Sequence, residues 1–335
     1  MAHRYAKDQP AGFTNRIERV AIIGTTGQVG SHVTAALAST GKHTITAITR
    51  KDSKSKQPEG VKVVPVDYDD EDSLTNALKG QQFLMISLAV TAPKDLQAKI
   101  IKAAAKAGVP WVMPNGYGTN VFDEKLAAEN LTGPSVLSGV KSVEDESVSS
   151  WVLMCCSFWY EFSLAMGPGW YGLSFPNKKI TFIDDGKTRI NTSTWEQCGR
   201  AMKALLSLNE LPEDENDTSV TLSNWRNKPL YISSFLMSQR DMLDSVHRVM
   251  GTTDADWTIE YEPHEERYQR GMEIMKKGEH LGFGICLYTR TFYPNGGGNF
   301  EATQGLANDL LGLPKEDVDE ATKRAVAMAE GGFKR

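Results

Sequence analysis

The chain has 335 residues, 40% of them hydrophobic, with 37 basic and 42 acidic side chains and a net charge of −5 at pH 7. That length suits one large domain or two joined ones, with a core that needs no disulfide staples. The mild acidity argues against a nucleic-acid surface, no apolar run approaches the roughly 20 residues of a membrane span, and no histidine or cysteine spacing suits a metal.

The four cysteines, Cys155, Cys156, Cys198 and Cys286, include an adjacent pair with poor disulfide geometry, so a reduced, cytoplasmic protein is expected. Residues 1–18 are polar and lack a secretory core, which predicts a loose, flexible extension. Arg19 to Ile23 reads as a short strand ending at Gly24, and Gln28 to Thr40 as a helix whose apolar face carries Val29, Val33, Ala36 and Leu37. "HTITAITR" (residues 43–50) is a second strand. "VKVVPVD" (61–67) is a third, its proline placing it at a sheet edge. A short helix over 71–80, an apolar strand over 82–90, an amphipathic helix over 95–108 and a fifth strand from Pro110 follow.

Alternation of this kind predicts a Rossmann-type, doubly wound parallel sheet, with ligands at the carboxyl ends of its strands. The sheet domain is expected over 19–155. A smaller C-terminal α+β part, over 156–335, is expected to form the substrate-binding region, with late strands free to return to the sheet. In that part "SSWVLMCCSFWYEFSL" (149–164) reads as a strand running into aromatics. "KKITFIDDGKTRINTST" (178–194) reads as a hairpin turned at "DDG". Thr194 and Ser238 are helix starts, Gly251 is a stop, and the last helix begins after Pro314. His280 falls between a charged helix and an apolar strand.

Gly24, Gly27 and Gly30 stand three apart between the first strand and its helix. Without Cβ atoms that turn lets a phosphate reach the backbone, and the amides of Gln28, Val29 and Gly30 open the helix toward an anion. Thr25 and Thr26 add hydroxyl donors. The second strand ends in Thr49, Arg50 and Lys51, where an NAD enzyme carries an acid, so NADP is expected over NAD despite nearby Asp52. Tyr117, flanked by Gly116 and Gly118 just beyond the fifth strand, is a candidate acid or a wall under the nicotinamide. Phe158, Trp159 and Tyr160 are candidates for an aromatic pocket, and Glu161 beside them should be solvated or paired.

"VAIIGTTGQVGSHV", "TRKDS", the Asp67–Tyr68 strand end, "DSLTNALKGQ", "LQAKIIKAAAKAGVPWVMPNGYG", "WYEFSL" and "LYTRTFYP" follow one another as in NmrA-like and isoflavone reductase-like proteins, an atypical branch of the short-chain dehydrogenases/reductases. The tail "LLGLPKEDVDEATKRAVAMAE" resembles fungal members. The resemblance implies NADPH at Gly24–Gly30 and Arg50–Lys51, bordered by Ser87, Leu88 and Ala89, with Pro114 and Asn115 completing the cofactor contacts. It also implies a pocket for a small, often aromatic metabolite over the nicotinamide. His280 is, from its own position, a candidate general acid or substrate contact, with a structural role as the alternative. Family reductases use a lysine on the helix after the fifth strand, and the matching residue here is Lys141. Its alternative is a surface pair with Asp145. The chain departs from the plant pattern at Pro114–Gly118, so binding transfers better than mechanism.

The expected function is NADPH-dependent reduction of a C=O, C=C or C=N bond in an aromatic or polyketide-like secondary metabolite, without nucleic acid or membrane partners. A homodimer is left open. Two other readings stand beside it: a non-catalytic dinucleotide-sensing regulator, and a non-redox isomerase or cyclase on the same fold.

Overall fold

The computed structural model describes residues 5–129, 131–295 and 297–331. The first half runs β1 (Arg19–Ile23), α1 (Gln28–Ala38), β2 (Thr44–Arg50), β3 (Lys62–Val66), α2 (Glu71–Leu78), β4 (Phe83–Ile86), α3 (Leu96–Lys106), β5 (Trp111–Met113), α4 (Glu124–Glu129), α5 (Gly133–Glu146) and β6 (Ser150–Cys155). The second runs β7 (Phe158–Trp159), α6 (Tyr160–Ala165), β8 (Leu173–Ser174), β9 (Lys179–Ile183), β10 (Ile190–Ser193), α7 (Trp195–Leu206), β11 (Lys228–Tyr231), β12 (Phe235–Met237), α8 (Gln239–Met250), β13 (Thr258–Glu262), α9 (His264–Lys276), α10 (His280–Thr291), α11 (Phe300–Gln304) and α12 (Val318–Glu330).

Seven parallel strands form the central sheet in the order β11-β6-β5-β4-β1-β2-β3. The order of strand succession reverses between β1 and β4, which opens a crevice at their carboxyl ends. Strand alternation sends Val20 and Ile22 into the core under α1 and α7, and Ala21 and Ile23 into the core under α2, α3 and α5. Pro65 sits on the edge strand β3, where no ladder bond is lost. Ser238 caps α8 reciprocally with Asp241, and Gly251 ends it at φ +65°.

Three sequence expectations change. The stretch before β1 is fastened rather than loose. Asn15 Nδ2 donates to Leu211 O at 2.9 Å, the amide of Ala6 to Pro212 O at 2.9 Å, and Ile17 is buried in the core. The "DDG" turn forms, with the Gly186 amide donating to Ile183 O at 2.9 Å, but its flanking strands do not pair. β9 joins β13 and β8, whereas β10 joins β12 and β7. The apolar run after His280 is the helix α10, not a strand. Its glycines allow helix–helix contact: a Cβ on Gly282 would stand 2.4 Å from Gly271 O on α9.

Candidate functional site

The glycine turn is packed backbone to backbone. Gly24 has φ +90°, and a Cβ there would lie 2.0 Å from Ser87 O; one on Gly30 would lie 2.0 Å from Gly24 O. No L-residue with a side chain fits either place without moving main chain. No side chain caps the first turn of α1 and no acidic residue stands in it, so its open amides and positive dipole end face the crevice. Val29 is buried against the core, and Thr26 and Gly27 are exposed on the open side of the turn. Thr25 is buried and donates its hydroxyl to Gln57 Oε1 at 2.5 Å, which draws the loop after β2 over the turn.

At the end of β2 the two cations differ. Lys51 Nζ lies 2.6 Å from Asp67 Oδ2, and this hydrogen bond raises the lysine pKa. Arg50 has a side chain 71% exposed and only a loose approach of 3.8 Å to Asp52. It is therefore the freer of the two to grip a phosphate in bidentate fashion. Thr49 is half-buried beside it.

The loops after β4 and β5 are stitched together. Asn115 Oδ1 accepts from the Leu88 amide at 3.1 Å, and the Asn115 amide donates to Gln97 Oε1 at 2.6 Å. Tyr117 donates its hydroxyl to Ile86 O at 2.8 Å, and burial pushes its pKa well above the ordinary phenol value. Ser87, Leu88, Ala89, Pro114, Asn115 and Tyr117 thus share one rim with the glycine turn; Ala89 is exposed and Pro114 buried.

Other candidates lie apart. Lys141 has a side chain 71% exposed, its Nζ 2.7 Å from Asp145 Oδ1, which raises its pKa. The α5 residue facing the rim is Val136, whose Cγ1 is 2.6 Å from where a Cβ on Gly116 would stand. Phe158 and Tyr160 turn into the C-terminal core: Phe158 stacks on Tyr288 at 3.7 Å, and the Tyr160 hydroxyl bonds Thr322 at 2.7 Å. Backbone alternation sends Trp159 the other way, into the cluster that holds Tyr117. His280 is exposed at the start of α10. Gln57, Gln97, His32, Phe162 and Trp195 also lie at these loops and carry little signal in the sequence. The polar ones have no periodic signal, and Trp195 reads simply as the first residue of a helix.

Glu161 is paired, as its surroundings demand. Its side chain is 3% exposed, and Oε1 accepts from Arg324 NH2 at 2.7 Å and Nε at 3.1 Å. Loss of solvation nevertheless pushes its pKa up to about 7. The unfolded chain has the ordinary value near 4.3, so the folded state holds the proton more tightly and the stability this supplies is lost as pH rises from about 4.3 through 7. Thermal melts should show Glu161→Gln gaining more over the parent at pH 8 than at pH 5. Equal differences at both pH values would contradict this.

Fold and rim together define a Rossmann-type α/β protein with a glycine turn and an uncapped helix start at the switch point. Residues 17–131 match the model of the NmrA-like family. The chain is 26% identical over 307 residues to oxidoreductase aprR of Aspergillus flavus, covering 90% of this chain and 96% of that one. Its fold matches a crystal structure of isoflavone reductase with a TM-score of 0.70 at 19% identity, over 92% of this chain and 99% of the other. An NADPH complex of the quinone oxidoreductase QOR2 from Escherichia coli matches with a TM-score of 0.68, also at 19% identity and with the same coverage of both chains. The resemblance to NmrA-like and isoflavone reductase-like proteins drawn from the sequence is borne out.

Proposed function

We propose that the chain is an NADPH-dependent reductase of a small aromatic or polyketide-like metabolite, acting on a C=O, C=C or C=N bond. The observation that carries this is the bare glycine turn beside an exposed Arg50 held only by a loose 3.8 Å approach to Asp52. Similarity to named oxidoreductases and to an NADPH-bound neighbour supports it. The amides at the start of α1 and the Thr26 hydroxyl hold the pyrophosphate, and Arg50 holds the 2′-phosphate. Ser87, Leu88 and Ala89 border the ribose, and Asn115 fixes the two loops that flank it. When bound, the cofactor supplies a hydride. Tyr117 serves as a wall beside the nicotinamide, because its hydroxyl is already committed to Ile86.

Lys141 balances the developing charge only if its ammonium leaves Asp145, and its exposed position gives no reason for that. Calorimetry with NADPH and NADP⁺, followed by turnover on a ketone and quinone panel, tests the proposal. Uptake of NADPH with oxidation on at least one acceptor is expected, and no uptake of any pyridine nucleotide would overturn it. In the same assay Lys141→Ala is expected to keep activity within about threefold, the scale of a lost surface pair. A loss beyond tenfold would return the lysine to the chemistry.

A further inference from the structure

Five buried polar atoms without a hydrogen-bond partner lie on two short neighbouring segments. Ser157 Oγ, Trp159 Nε1 and Glu161 Oε2 are on the stretch leaving β6; Ser193 Oγ and Trp195 Nε1 are where β10 passes into α7. Parallel pairing of Thr192 with Phe158 and of Ser193 with Trp159 sets the segments side by side. Among the described residues the other such atoms are scattered singly, on His43, Thr75, Gln81, Arg240 and Arg290. Burying a donor without an acceptor gives up hydration for nothing, and cores built only for stability avoid it. Five together mark a place shaped by something other than packing.

That place adjoins the rim. The rings of Trp159, Phe162 and Trp195 form a triangle with centroids 6.1 to 6.2 Å apart. Trp195 also stacks on His32 at 5.6 Å, and His32 lies one helical turn beyond Gln28 at the start of α1. Tyr117, at the end of β5, packs against the same large core on this face of the sheet. Trp159 and Phe162 are only half-buried, so the triangle has an outer face from which it can be parted. The unpartnered groups of the two segments are mainly donors, two indole N–H on the triangle itself and two hydroxyls on the adjoining backbone.

We infer that this triangle is a ligand site packed shut, which opens for a flat conjugated ring bearing acceptor oxygens. Those oxygens take the N–H groups of Trp159 and Trp195 and the hydroxyl of Ser193, while the rings stack on the ligand. The inference rests on the reductase reading for its purpose, since the site would hold the acceptor beside the cofactor, but its observations are independent of it.

Equilibrium dialysis of 1,4-naphthoquinone and naphthalene against the full chain, with and without NADP⁺, tests the site. The parent should bind the quinone at least tenfold more tightly than the hydrocarbon. Trp159→Phe and Trp195→Phe keep a ring and delete a donor. Each should weaken quinone binding about tenfold, the scale of one hydrogen bond, and leave naphthalene unchanged. Both substitutions also take volume from a packed cluster, so their melting temperatures are expected to fall; Ser193→Ala, which deletes one hydroxyl with little change of volume, serves where either fails to fold. Equal binding of the two rings, or variants that hold the quinone as tightly as the parent, would overturn the inference. A chain that discriminates the rings but takes up no NADPH overturns the reductase reading alone. One that takes up NADPH but does not discriminate overturns this site alone.

Discussion

Replacing Gly30 with alanine is expected to weaken the fold and NADPH binding together. The new Cβ would stand 2.0 Å from Gly24 O and 2.8 Å from Gly24 C, both main-chain atoms that cannot swing aside. Relief requires α1 to back away from the turn, an overpacking cost of about 1–3 kcal/mol. The same shift pulls the helix amides off the pyrophosphate. Loss of two charge-assisted hydrogen bonds corresponds to about 100-fold in affinity. Gly27→Ala separates the two effects. Its Cβ would meet only Gly24 O, at 3.3 Å, so the melting temperature should hold. Affinity should still fall, because the methyl stands where the phosphate approaches. Thermal melts and calorimetry on both variants check this; a stable Gly30→Ala that binds normally would refute the cradle.

Arg50→Asp is the second large effect. If the guanidinium reads the 2′-phosphate, reversal of its charge should lower NADPH affinity about 100-fold, from a lost bidentate contact and a new repulsion, and leave NADH within a few fold. Lys51 should not compensate, since Asp67 holds its ammonium at 2.6 Å. Calorimetric titration with both reduced nucleotides gives the ratio. An unchanged preference would move 2′-phosphate recognition elsewhere on the loop.

Much of the sheet domain was legible in the chain because its signals are local. A strand, three glycines and a 3.6-residue period specify β1, its turn and α1 with little help from elsewhere. Misreadings arose where distant partners decide. The turn at Asp184–Gly186 has suitable residues for a hairpin, yet β9 finds β13 from far along the chain and β10 finds β7. The α10 run, with two glycines and many apolar residues, reads as a strand until α9 is there to receive it. In the candidate site, the glycines and Arg50 carried a visible signal. Gln57 and Gln97 did not, since a polar loop residue shows its purpose only through the atom it bonds. Of the aromatic run after β6, Phe158 and Tyr160 enter the C-terminal core while Trp159 joins the cluster on the other side, because a strand turns successive side chains to opposite sides.

The placement of β11 bears on how this protein can be divided. The strand beside β6 comes from the far half of the chain, and Tyr231 O at its end receives the Ala307 amide at 2.8 Å. A fragment stopping after Cys155 would leave β6 with a bare row of amides and carbonyls, an invitation to stick to other molecules. The nucleotide half is therefore no portable module that a gene fusion could lift out. It is finished only when the ribosome has delivered residues some 75 positions further on, so the second half of the chain is also a condition of solubility for the first.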